Sequence, residues 1–102
     1  MSEPRIYVDF QNADSQGRPR LNCVGTLEDL SRHRVVLREG LALLLYSDDL
    51  DEDGRLNELL VEGIAAFSLE EHCWVAVIDW SAIRHASEIQ RASANSINHP
   101  RR

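Results

Sequence analysis

The stretch "LREGLALLLYSDDLDEDGRLNELLVEGIAAFS", residues 37 to 68, decides the fold, because two apolar arms flank an acidic centre and each arm fits two templates. Read as a helix, the second arm places Leu56, Leu59, Leu60, Gly63, Ile64 and Phe67 at i, i+3, i+4, i+7 spacing. Read as a strand, it places Leu59, Val61, Ala65 and Phe67 on one face, with Gly63 between them. Counting matches puts the helix slightly ahead. Glycine turns the balance. Gly40 and Gly63 would both sit inside helices, each at a cost of about 1 kcal/mol against Ala. In a sheet, Gly40 suits the start of a strand and Gly63 a bulge. The strand reading is therefore adopted, as a hairpin with an acidic tip. A helix–loop–helix over residues 35–67, in an α+β fold, is the alternative.

The neighbouring sequence agrees with strands. "HCWVAVIDW", residues 72 to 80, is apolar on both faces: Trp74, Ala76, Ile78 and Trp80 on one, Cys73, Val75 and Val77 on the other. Such a strand is central and needs partners on both sides. Its nearest partner is "GIAAF" at 63 to 67, and Trp74, Val77 and Ile78 are expected in the core. Toward the N-terminus, "RIYVDF" alternates, with Ile6, Val8 and Phe10 facing one way. "QNADSQGRPR" is rich in turn formers, and "RLNCV" then resumes alternation, so these two runs are expected to pair as a hairpin. Gly25 is expected to end the second strand. "TLEDLSRHR" reads as a two-turn helix, with Thr26 as N-cap and Asp29 completing a capping box. After Trp80, Ser81 can cap a further helical segment, and "SANSINHPRR" is polar and aperiodic. The expected organisation is one globular domain over residues 1–92 and a frayed polar tail over 93–102. The expected fold is mainly β with one or two short helices: a small, strongly bent five-stranded sheet, or a barrel of the Src-homology 3 (SH3-like) or Tudor kind.

Composition narrows the function classes. The chain has 102 residues, 43% hydrophobic and 27% charged, which is ordinary for a globular protein. No apolar run approaches the ~18–20 residues of a membrane span, and the N-terminus lacks a basic region followed by an apolar one. A cytoplasmic location and no membrane partner are expected. The net charge of −6 is unevenly spread. Residues 1–40 balance, residues 41–80 carry ten acids against Arg55 alone, and residues 81–102 carry four Arg against Glu88. An acidic middle repels phosphate, so no nucleic-acid partner is expected. Cys23 and Cys73 lie in apolar stretches and read as reduced, buried thiols.

Residues 49 to 54, "DLDEDG", resemble the first half of an EF-hand calcium loop. With Asp49 at position 1, Asp51 falls at 3, Asp53 at 5, Gly54 at 6 and Arg55 at 7. The resemblance implies Asp49, Asp51 and Asp53 as metal ligands. Position 12 is Leu60, however, so the bidentate Glu is missing, and Glu58 and Glu62 are out of register. Asp, Asn and Gly also dominate ordinary turns, because they hydrogen-bond locally and tolerate left-handed geometry. The sequence therefore predicts a solvated turn over residues 48–58, with weak divalent-cation (calcium) binding as the alternative.

No catalytic constellation is visible. In a strand, Cys73 and His72 point to opposite faces, Asp79 and His85 could meet beyond the last strand, and neither a phosphate-cradling glycine loop nor a nucleophile elbow is present. No cofactor is expected. What remains is a non-catalytic module that binds a protein partner or forms a homo-oligomer, because "LALLLY" and "CWVAVIDW" supply more apolar surface than a very small barrel encloses.

Overall fold

The computed structural model describes residues 3–88. Their fold is mainly β. Strands β1 (Arg5–Tyr7), β2 (Ala42–Ser47), β3 (Leu59–Ser68), β4 (Cys73–Ile78) and β5 (Arg84–His85) form a mixed five-stranded sheet, with helix α1 (Val24–Arg32) and a 3₁₀ turn (Trp80–Ala82). β3 is the spine. β2 pairs with its first half and β4 with its second, both antiparallel, and β5 pairs with Leu59 and Leu60 on the β4 side. β1 adds to β2 in parallel, through Arg5↔Leu44 to Tyr7↔Tyr46.

The ambiguous stretch is thus a hairpin, and burial follows the strand period. Leu43, Leu45, Val61, Gly63 and Ala65 are buried, while Glu62 and Ile64 between them are exposed. Gly40 has φ +85, which a helix interior forbids. Gly63 makes no bulge, contrary to the expectation, and pairs in register with both Leu43 and Ile78. A Cβ there would lie 2.9 Å from Leu45 Cδ1 and 3.0 Å from Ile78 Cγ2, so glycine admits the large side chains on either side.

The sheet is open rather than a closed barrel. Its edges are drawn together by a hairpin arm over residues 12–20. The arm carries the bridge Ala13↔Pro19, and its return limb touches β4 at Arg20↔Val75. Leu21 N–H donates to the Trp74 carbonyl, and Ala76 N–H to the Pro19 carbonyl. "RLNCV" therefore lies beside β4 and does not pair with β1. Ile6, Val8, Leu21, Leu43, Leu45, Val61, Ala65 and Ala76 close a core inside the bend. Trp74 and Ile78 pack against this core half-buried, whereas Val77 is 47% exposed, which corrects its assignment to the core. β4 is apolar on both faces because Val75 is buried on the outer face as well, at the bridge with Arg20.

α1 starts earlier than expected, at Val24, and takes in Gly25. Cys23 is its N-cap and supplies no side-chain cap bond, so the anticipated capping box does not form. After Trp80 the chain makes only the 3₁₀ turn and β5 before residues 86–88 become helical. The expected polar tail, 93–102, lies outside the described residues. Among the described residues no helix is long and apolar enough to cross a membrane.

Candidate functional site

Thr26 and Asp29, read as helix caps, instead finish the exposed edge of β1. Val8 N–H donates to the Tyr46 carbonyl and Leu44 N–H to the Pro4 carbonyl, so even-numbered residues of β1 face β2. The N–H and C=O of Tyr7 must then face away from the sheet. Asp29 Oδ2 accepts that N–H at 3.0 Å, and the Thr26 hydroxyl donates to that carbonyl at 2.6 Å. Two side chains of α1 thus take the place of a neighbouring strand. Thr26 has a single hydroxyl proton, already given to Tyr7, so the Cys23 thiol at 3.0 Å is the donor to Thr26 Oγ1. Gly25 permits the close approach of α1, because a Cβ there would stand 2.6 Å from the Tyr7 ring.

Asp29 is only 3% exposed, and both of its carboxylate oxygens are engaged. Besides Tyr7 N–H, it accepts from the Tyr46 hydroxyl at 2.6 Å and from Arg32 Nη1 at 2.5 Å. Burial works to raise its pKa, but the Tyr46 and Tyr7 hydrogen bonds and the Arg32 charge outweigh it and hold the carboxyl below the usual range. Burial, then the bond to Asp29, pushes the Tyr46 phenol up to about 12. Arg5 lies over the Tyr46 ring, 4.2 Å from its centroid, and pairs with Glu58. Every charge in this cluster is matched, and no general base is left free for chemistry.

The acidic loop is built on a turn that occurs twice. In "DSQGR" (14–18) and "DEDGR" (51–55), the Asp Oδ1 accepts from the N–H groups two and four residues on. The Asp N–H donates to the Arg carbonyl, and the Gly N–H to the Asp carbonyl. Gly17 and Gly54 hold φ of +76 and +79, the left-handed geometry that makes glycine favourable there. The bridges Ala13↔Pro19 and Leu50↔Leu56 close the two turns. The shared D-x-x-G-R pattern was present in the sequence as a signal for paired five-residue turns. Asp51 is therefore engaged with its own backbone. Asp49 Oδ2 pairs with His85 Nε2 at 2.8 Å, and Asp53 is exposed. Among the described residues, no three His, Cys, Asp or Glu side chains converge to hold a metal ion.

The other candidate groups are placed apart. Asp79 does not meet His85; it caps the 3₁₀ turn through the Ser81 N–H and hydroxyl. His85 faces Asp49 on one ring nitrogen and Glu88, at 3.9 Å, on the other, so neither is directed at Ser87, whose hydroxyl accepts from Asn57. Cys23 and Cys73 are free and half-buried rather than fully enclosed.

Among the described residues, part of the sheet's outer face is left uncovered. On the outer face of the sheet, Ala42, Ile64 and Val77 form a row across β2, β3 and β4, with Leu44 and Leu60 beside it. Ile64 is 44% and Val77 47% exposed. Glu62 and Arg84 border this strip, where Val61 and Glu62, paired with β2 on one side, fall between β4 and β5 on the other. Leu44, Leu60, Glu62, Asp79, Ala82 and Arg84 line a recess there. No protein-family description matches the chain, and neither a curated protein nor a solved structure is significantly similar to it.

Proposed function

We propose that the protein is a non-catalytic interaction module that binds another protein chain, or a second copy of itself, through the outer face of its sheet. The observation that carries this reading is the apolar row at Ile64 and Val77, left nearly half exposed while the inner face is buried. β-branched side chains on a paired strand are rigid, so ordering them against a partner costs little entropy. The polar clusters support the same reading. Asp29, Asp14 and Asp51 are each engaged by backbone N–H groups, and His85 lies between two carboxylates. The acidic middle of the chain disfavours phosphate-bearing partners.

The test compares immobilised wild-type protein with an Ile64→Asp/Val77→Asp variant. Both substitutions are at exposed positions, and circular dichroism checks that the variant folds. Proteins retained from a native extract, including added free copies of the chain, should be held by the wild type and lost by the variant. Identical retention by both would overturn the reading.

A further inference from the structure

Resting on that reading, we infer that the partner is a second copy of this chain, packed face to face across the outer sheet, with Glu62 of each copy against Arg84 of the other. The sheet's edges limit the ways in which copies can meet. β1 is closed by Thr26 and Asp29. The outer edge of β4 is occupied at Trp74 and Ala76 by the return limb of the hairpin arm. Edge-to-edge pairing at β1 or β4 would have to displace one of these, and β5, two residues long, offers little edge, so stacking of sheets is the geometry favoured.

The charges on this face are self-complementary. Glu62 on β3 and Arg84 on β5 are both exposed, and Arg84 pairs with Leu60, two residues from Glu62. Although they are diagonal neighbours, neither forms an ion pair with any group among the described residues. Arg5, Arg20 and Arg32, the neighbouring cations, are already taken by Glu58, Glu71 and Asp29. In a two-fold interface, a contact of one residue with another is always made twice. One Glu62–Arg84 contact between copies therefore satisfies four charges at the border of the apolar row. It also gives two chains of net charge −6 a local attraction against their overall repulsion.

The size of the face sets the strength. Three strands spaced about 4.8 Å apart and six residues long, at about 3.3 Å each, span roughly 10 by 20 Å. That is below the usual area of a tight complex, so the dimer is weak and concentration-dependent.

Sedimentation equilibrium of the full chain, from about 10 μM to 1 mM in low salt, measures the association. A monomer–dimer equilibrium is expected. Glu62→Arg and Arg84→Glu should each weaken it by about tenfold, an ordinary effect for one cross-interface charge pair present twice. The double swap in one chain should return it to within about threefold of wild type. Thermal melts check that all three variants fold. A wild type that stays monomeric at 1 mM overturns this inference but leaves the retention test above to decide the broader reading. A dimer indifferent to the single swaps, or not rescued by the double swap, also overturns it.

Discussion

Asp29→Ala is the most informative single change in this fold, because Asp29 joins a helix, a strand edge and a tyrosine. Removing its carboxylate leaves the outward N–H of Tyr7 and the hydroxyl of Tyr46 without their acceptor. A buried polar group stripped of its partner costs about 1–3 kcal/mol. Both groups are only half-buried, which allows water to recover part of that cost. Arg32 is mostly exposed, so its bond adds at most about 1 kcal/mol. The expected loss is about 2–5 kcal/mol, a large share of a small domain's stability. Asp29→Asn separates the contributions. Its amide oxygen can accept both bonds now made to Oδ2, so only the Arg32 interaction and the negative charge are lost, about 1–2 kcal/mol. Urea unfolding followed by tryptophan fluorescence measures both variants. The sign of the pH dependence follows from the depressed carboxyl. Its stabilisation is fully present above the unfolded carboxylate value of 3.8 and is lost as pH falls through the lower folded value. The gap between wild type and Asp29→Asn should therefore be constant from pH 7 to about 4 and shrink below that. If Asp29→Ala unfolds within about 0.5 kcal/mol of wild type, or Asn is as damaging as Ala, the view of α1 as a surrogate strand is wrong. Aggregation of the Ala variant through the bared β1 edge is expected at high concentration.

Three further changes probe separate elements. Tyr7 and Tyr46 have phenols raised above 10.0. Absorbance at 295 nm should therefore show less ionisation at pH 10 in the folded state than two free phenols would, and stability should fall as pH rises through 10 toward the Tyr46 value of about 12; ordinary titration of both tyrosines would contradict the Asp29–Tyr46 bond. Gly25→Ala should destabilise by about 1–3 kcal/mol despite a better helix propensity, because the added methyl must displace the Tyr7 ring; a raised melting temperature would show that α1 can back away without cost. Calorimetric titration with calcium in 150 mM salt should show no saturable heat, and Asp51→Ala should cost about 1 kcal/mol through loss of its turn bonds. Salt-resistant, one-to-one binding lost in that variant would favour the calcium alternative.

The sequence by itself determined the class of the fold and the positions of several elements. Alternation marked Ile6 and Val8, and the glycines at 40 and 63 tipped residues 41–67 toward strands, because a period of two and the cost of glycine inside a helix are local properties of the chain. The pairing of "GIAAF" with "CWVAV" was legible for the same reason, since a short connection favours neighbouring strands. Other features were settled by contacts between residues far apart in the chain. Nothing near Arg5–Tyr7 indicates that its partner is β2, about forty residues on, rather than the adjacent "RLNCV". Thr26 and Asp29 have the spacing of a capping box, yet the orphan peptide groups they satisfy belong to Tyr7, nineteen and twenty-two residues away. Val75 and Val77 are one residue type at positions of equal parity, so sequence treats them alike. Only the hairpin arm arriving at Arg20 buries the first and leaves the second exposed. Hydrogen-bonding groups and apolar surface are satisfied by whatever the folded chain brings within reach, and that proximity is a property of the tertiary structure.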